Sequence, residues 1–459
     1  MSGASAIPVE DTEVVVVGAR CAGSAAAAAF AQAGRRVVLL EATRLPSDTL
    51  STHLLWPGGV AELRRLGALD RVAELGAPPM RTAYAAGAGH AIRSSFAPVD
   101  GVDYALCVRR TGLDAALAAT AVAAGAQLRD GARVGELLWR GTRCAGVRYT
   151  DSSGTHELRA ALVVGADGRR STVARLAGAS RPRLFAPSGR DCYFAYWRDT
   201  AVEWRGVAAQ WRDGADLGTA FPCDDGLLLA LVQPPASQDR PGPGGAERRY
   251  REAIERIPGL TARLAGCERV GRVRSATGLV SYFRGSSGPG WALPGDAGHF
   301  KDPVTAQGIR DALHYGRRLG ELAAPVLHEP QRLDAALRAW ESQRLTECLG
   351  IYQWTNRLSR ATPMSPLEIQ LYRRATGDPE LARAVTEIFS RTKDPKDVFT
   401  PGLAAALAVG ALRAAWPSVG PVLTELLHEA RDTAADWWQS RAHPAITPAT
   451  AAVPGVRHA

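Results

Sequence analysis

Three separated stretches of the chain pair a strand-like run with small residues and a carboxylate, a combination suited to an elongated, phosphate-bearing ligand. In "EVVVVGARCAGSAAAAAFAQAGRRVVLLEA" (13–42), Gly18 ends a run of valines and Gly23 lies in the alanine-rich segment that follows. Glycines so spaced turn a buried strand into a helix whose first amides, lacking helical partners, can receive a pyrophosphate. Glu41 closes the next apolar run, where a carboxylate accepts hydrogen bonds from ribose hydroxyls and repels a 2′-phosphate. Arg20 stands where the second glycine of such a fingerprint belongs. Its side chain can point away from the ligand or reach round to phosphate oxygens.

The second stretch, "LVVGADGRRSTVARLAG" (162–178), reads as strand, loop and a helix opened by Ser171. Asp167 in its loop can bond a ligand hydroxyl or cap the helix. The third, "GWALPGDAGHFKDPVTAQGIRDAL" (290–313), ends a strand at Gly295 and Asp296 and starts a helix near Thr305. Asp296 suits a polyol, and the helix start at Gln307 and Gly308 offers its positive end to a charged ring. His299, Lys301 and Pro303 lie between them. Lys301, one of only three lysines, can balance negative charge beside the ring or pair with a carboxylate such as Asp302. In "LPSDTLSTHLLWPGGV" (45–60), Thr52, His53 and Trp56 can line the same ring or cap the next helix.

These loops need a parallel sheet to present them. The expected architecture is α/β: a Rossmann-like dinucleotide-binding domain with an inserted antiparallel-sheet domain and a C-terminal helical region. The boundaries read as 12–80, 101–185 and 270–345 for the first, 81–100 and 186–269 for the sheet domain, and 346–440 for the helices. Residues 441–459, rich in proline and alanine, read as a disordered tail. Aromatic strands such as "CYFAYW", with Tyr193 and Tyr196, and Trp211 in "GVAAQWRDG" can wall a flat substrate or fill the sheet core. The formal net charge of +9 is diffuse, with no basic run, which argues against nucleic acid. Seven scattered cysteines lack metal-ligand spacing, so no metal is expected, and the set suits a reducing compartment. No signal core or apolar run of about 20 residues occurs, so a cytoplasmic protein without a membrane is expected.

Taken together, the three motifs resemble the flavoprotein monooxygenases of the 4-hydroxybenzoate hydroxylase type, and "CVRRTGLDAAL" (107–117) is similar to that family's arginine-x-x-leucine segment through Arg110. The resemblance spans about residues 13–345. It implies bound FAD, with Gly18, Arg20, Gly23 and Glu41 at the adenosine and phosphate end, Arg110 near the pyrophosphate and Gly295 and Asp296 on the ribityl chain. Pro303, Gln307 and Gly308 would lie beside the flavin ring. Asp167 would face the cleft, in a motif the family also associates with nicotinamide nucleotide. It further implies NAD(P)H as reductant, dioxygen, and a flavin hydroperoxide that hydroxylates an aromatic or polycyclic substrate, as in secondary metabolism. His53, His299 and Lys301 would be the candidate catalytic groups, with Trp56, Tyr193, Tyr196 and Trp211 on the substrate. A homodimer or a separate flavin reductase would fit the same scheme. Three other readings compete. A flavin halogenase is one, although the tryptophan-x-tryptophan motif of similar halogenases does not occur here. The others are a reductase of isoprenoid double bonds and a nucleotide-binding scaffold without activity.

Overall fold

The computed structural model describes residues 7–46, 49, 51–237, 242 and 244–442. Val14–Val17, Val37–Glu41 and Leu162–Gly165 are buried along their whole length. Strands buried on both faces read as unbroken apolar runs, and these pair in parallel. They form the middle of a six-stranded sheet ordered Ser287–Gly288, Trp291–Ala292, Leu162–Gly165, Val14–Val17, Val37–Glu41, Gln127–Asp130. Val14, Val16 and Leu39 face the helices Cys21–Gln32, Arg110–Ala123, Gly308–Ala323 and Pro330–Leu358. Val15, Val17, Val38 and Leu40 pack on Leu137, Val147 and Leu158 from a separate sheet of Val9–Asp11, Arg133–Arg140, Arg143–Asp151 and Gly154–Arg159. The alanines of Cys21–Gln32 let a second helix come very close. A Cβ at Gly316 would stand 2.5 Å from the Ala22 carbonyl oxygen.

The inserted domain is a seven-stranded sheet, ordered Glu268–Ala276, Cys192–Arg198, Leu227–Gln233, Asp216–Pro222, Val207–Asp213, Thr82–Gly87, His90–Ser95. All its pairs are antiparallel except that of Val207–Asp213 with Thr82–Gly87. The expected boundary at 270 is therefore corrected: Glu268–Ala276 pairs along Cys192–Arg198, and the sheet domain runs through 276. Helices Gly245–Glu255 and Pro258–Arg263 cover one face of this sheet, over Tyr193, Trp211, Leu228 and Ala230. The other face carries Phe194, Ala208, Phe221 and Leu229 toward Leu54, Trp56 and Ala306 of the first domain.

The C-terminal region is helical, as expected, in Pro366–Gly377, Pro379–Ser390, Pro401–Ala415 and Gly420–Ala442. Proline opens the first three, and Ser365, Asp378 and Thr400 cap them by accepting from first-turn amides. The expected disordered tail lies outside the described residues from 443 onward.

Candidate functional site

The three loops meet at one edge of the six-stranded sheet, beyond the C-terminal ends of its central parallel strands. Gly18 has φ +99°, and a Cβ there would stand 2.6 Å from the Ala166 carbonyl oxygen. A Cβ on Gly23 would stand 1.7 Å from the Gly18 carbonyl oxygen. Only glycine fits either position, so the turn, the helix start and the 165–168 loop interlock. Gly295, at φ +62°, brings the third loop against the same helix, with its virtual Cβ 2.7 Å from Ala22. Glu41 is fixed at its strand end: Oε2 accepts from the Ala19 amide (2.9 Å), and Oε1 accepts from the Thr43 amide (3.0 Å) and hydroxyl (2.8 Å). Arg20 is the N-cap residue of Cys21–Gln32 and is partly exposed.

Arg110 is buried at the start of its helix and grips Asp114 through Nε and Nη2 at 2.8–3.1 Å. Asp114 also accepts the Cys21 thiol, which ties Arg110 to the first turn of the fingerprint helix. Among the described residues no side chain or amide hydrogen-bonds the Asp296 carboxylate. Burial pushes its acid constant up, against the pull of Arg169, Arg110 and Lys301. The third helix begins at Gly308, after Pro303–Thr305 and a left-handed Ala306 (φ +52°), so its first-turn amides have no helical acceptor. A Cβ at Gly308 would point into open space beyond its own helix, and Gln307 Oε1 is buried without a partner. A glycine-walled turn, an unbonded carboxylate and an open helix start are what a dinucleotide ending in a ring needs. The residues fit FAD.

His53 is fully buried in a left-handed conformation, φ +61°, a strain typical of functional positions. Its Nδ1 lies 2.7 Å from the Ser51 carbonyl oxygen, which can only accept, so Nδ1 carries the proton and Nε2 accepts from the Tyr196 hydroxyl at 2.7 Å. Burial, then Arg110, Arg274 and Arg109, hold its pKa down to about 3, so the ring is neutral at physiological pH. Trp56 donates from Nε1 to the Thr305 carbonyl (3.1 Å) and packs near Phe96 and Phe389. The structure thus gathers His53, Tyr196 and Trp56 with the 303–308 segment.

Other candidates lie differently. Tyr193 and Trp211 are corrected as substrate residues: strand alternation turns them onto the far face, under the covering helices, where Trp211 meets Gly259. Asp167 caps: its carboxylate accepts from the Thr172 amide (2.7 Å), the Val173 amide (3.1 Å) and the Ser171 hydroxyl. Lys301 pairs with Asp311, not Asp302, inside a buried cluster with Arg310 and Arg391. Burial favours the neutral acid, but these cations prevail and hold Asp311 well below the carboxylate range. His299 lies flat on Phe283 with ring centres 4.0 Å apart, and burial together with Lys301 keeps it neutral. His299, Asp311 and Cys348 offer ligand atoms within 4.8 Å of one another, yet Lys301, Arg310 and Arg391 already compensate the carboxylate. Both His299 and Lys301 serve packing and charge balance beneath the helix start.

The feature that motifs did not reveal is the roof. A cavity of about 1900 Å³ lies between the second face of the seven-stranded sheet and the C-terminal helices. Trp56, Ala208 and Phe221 line one side, Trp354, Phe389 and Leu407 the other, and Val304 joins it to the flavin-side segment. Gln307 Nε2 donates to the Ile388 carbonyl (3.2 Å), docking the helical region directly on the cofactor loop. Arg169, beside Asp296, was legible as the residue after the "GADG" run; the helical lining carried no motif.

Residues 11–348 match the family model described as an FAD binding domain. The chain belongs to this FAD-binding family. It is 31% identical over 329 residues to the menaquinone reductase of Mycolicibacterium smegmatis, covering 69% of this chain and 76% of that protein. It is 26% identical to digeranylgeranylglycerophospholipid reductase 2 of Methanopyrus kandleri, over 81% of this chain and 92% of that protein. The flavin-dependent brominase Bmp2 shares the fold, with a TM-score of 0.72 at 18% identity over 88% of this chain and 99% of that one. The chain is thus a flavoenzyme, and the two curated relatives it resembles here are both named reductases. The similarity to Bmp2 speaks for the fold alone.

Proposed function

We propose that the protein is an FAD-dependent oxidoreductase that reduces a carbon–carbon double bond in a large, apolar, isoprenoid-like small molecule, with NAD(P)H as the source of electrons. The observation that carries this reading is the cavity of about 1900 Å³, far larger than a single aromatic ring needs and reaching Trp56 and Val304 beside the flavin segment. The names of the curated relatives favour the same chemistry. FAD, held by the Gly18–Gly23 turn, Glu41, Arg110, Asp296 and the Gly308 helix start, would supply two-electron redox chemistry at that end.

The chain's own part is to hold the substrate, exclude water and supply a proton. Trp56, pinned by Thr305, forms a rigid wall. Phe389 and Trp354 close the opposite side with edge-on packing at 5.1 Å between ring centres. Tyr196 Oη, whose hydroxyl rests on the neutral His53 Nε2, would turn its one proton from that acceptor to the substrate carbon. Arg110, Arg274 and Arg109, whose fields reach His53, also favour the tyrosinate left behind. Turnover of the FAD-loaded protein with NADPH and a polyprenyl quinone, without air, tests the reading. Once any hydroquinone has been reoxidised in air, mass spectrometry should find product whose prenyl chain has gained a pair of hydrogen atoms. Oxygen transfer is the second reading, favoured by the closed helical roof that would keep a reactive oxygen species from water. Product formed only in air, heavier by one oxygen atom, would select it.

A further inference from the structure

Helices Pro401–Ala415 and Gly420–Ala442 carry a surface that a protein surrounded only by water has no use for. Trp416 is 78% exposed, Trp438 66% and Leu427 62%, and Leu423, Val409 and Trp437 are exposed as well. Large apolar side chains exposed in this number on two adjacent helices mark an interaction site.

Charge is sorted with equal clarity on the last helix. Its four acids turn inward: Glu429 and Asp436 pair with Arg357, Asp432 with Arg360, and Glu425 accepts from the Leu367 amide. At 100° per residue they fall on one side, while Leu423, Leu427, Arg431, Trp438 and Arg441 fall on the other. The neighbouring helix contains no acid and exposes Arg413. Among the described residues of 401–442 every carboxylate residue is partly buried, whereas Arg413, Arg431 and Arg441 are exposed. Exposed tryptophan and leucine interleaved with arginine is the composition of a helix lying in the plane of a membrane surface, and the arginines complement anionic headgroups. Among the described residues no helix is long and apolar enough to cross a membrane.

The same helix borders the substrate cavity. Trp437 and Trp438 both line it and face outward, as do His428 and Thr433. The cavity therefore opens at the apolar surface rather than away from it.

We infer that the 401–442 helical pair docks on an anionic lipid bilayer and passes an apolar substrate from the membrane into the cavity. The docking rests on surface chemistry; the delivery rests on the apolar-substrate reading above. It replaces the expectation of a protein without a membrane.

The test is co-sedimentation of the full FAD-loaded chain with phosphatidylcholine vesicles, with and without a third of phosphatidylglycerol. The protein should pellet with the anionic vesicles. Binding should fall on the order of tenfold or more in Arg413→Glu/Arg431→Glu/Arg441→Glu, since each basic group near the surface contributes measurably. A separate Trp416→Ser/Leu427→Ser variant should also lose binding. None of these five residues lines the cavity, so both variants should retain FAD and turn over detergent-dispersed substrate at the parent rate. Protein that stays in the supernatant with both vesicle types overturns the inference. So does a dimer in size-exclusion chromatography that Trp416→Ser/Leu427→Ser dissolves while vesicles bind neither form, because the patch then covers a second copy. If vesicles bind but no double bond is reduced, the docking stands and the reaction proposed above fails.

Discussion

The Asp296 carboxylate holds its place in the cleft without a hydrogen bond from the described residues, although burial makes its charge costly. A ligand hydroxyl is the partner such a carboxylate lacks. Asp296→Asn is expected to weaken FAD binding by about 1–3 kcal/mol, read as flavin fluorescence released on dilution; parent-like retention would remove Asp296 from the cofactor. Tyr196→Phe removes the proposed proton source and should lower kcat by on the order of 10²–10⁴, with FAD content unchanged. An unaltered kcat would dismiss the hydroxyl. His53 is neutral in the fold, with its pKa at about 3, against 6.5 when unconstrained. The unfolded chain thus binds more protons between these values, and stability falls as pH drops below about 6.5. At pH 5 the loss from this residue is about 2 kcal/mol. The difference in urea-unfolding free energy between pH 7 and pH 5 should shrink by about that amount in His53→Gln, and an identical difference would show that His53 is not held neutral. Lys301→Met takes one of three cations from the buried Asp311 carboxylate and leaves Arg310 and Arg391, so a stability loss of about 1–3 kcal/mol is expected, with thermal unfolding as the measure. A stable variant with slowed chemistry would restore Lys301 to the reaction. Spacing in the sequence singled out Gly18, Gly23, Asp296 and Gly308 because each answers a local backbone or charge requirement, and they lie on the three loops that meet at the sheet edge. It could not see that Lys301 is consumed by Asp311 one helical segment later, since the partner of a buried charge is chosen by tertiary packing.

At the scale of elements, the parallel core was legible because strands buried on both faces leave unbroken runs such as "VVVV". The seven-stranded sheet was legible as strands but not as faces. Tyr193 and Phe194 are neighbours in sequence and point to opposite sides, and register alone decides which one meets Trp56 and which one meets Tyr250. Ala208 sits on the cavity face beside Phe221, and its small side chain leaves room there. Ala208→Leu should narrow the cavity and shift the kcat/KM ratio toward shorter-chain substrates, measured across a series of prenyl lengths. An unchanged ratio would mean that the chain of the substrate does not run along this face.

At the scale of the molecule, three bodies share one site: the cofactor sheet, the aromatic sheet and the helical roof. The first two announced themselves through motifs and strand patterns. The roof did not, because amphipathic helices pack in many arrangements and nothing in "LYRRATGDPELARAVTEIFSRTKDPKDVF" states which surface they cover. Gln307 supplies that answer by bonding the end of Pro379–Ser390 to the flavin-side loop. The roof turns an open redox edge into a largely apolar cavity with a mouth at the last helix. The most direct measurement starts from protein whose FAD has been reduced under anaerobic conditions, mixed in a stopped-flow instrument with a polyprenyl alcohol, which has the carbon–carbon double bonds but no quinone ring to take the electrons. Return of the oxidised-flavin absorbance without oxygen, at a rate that rises with substrate concentration and falls in Tyr196→Phe, is the predicted result. Flavin that stays reduced until air is admitted would contradict it.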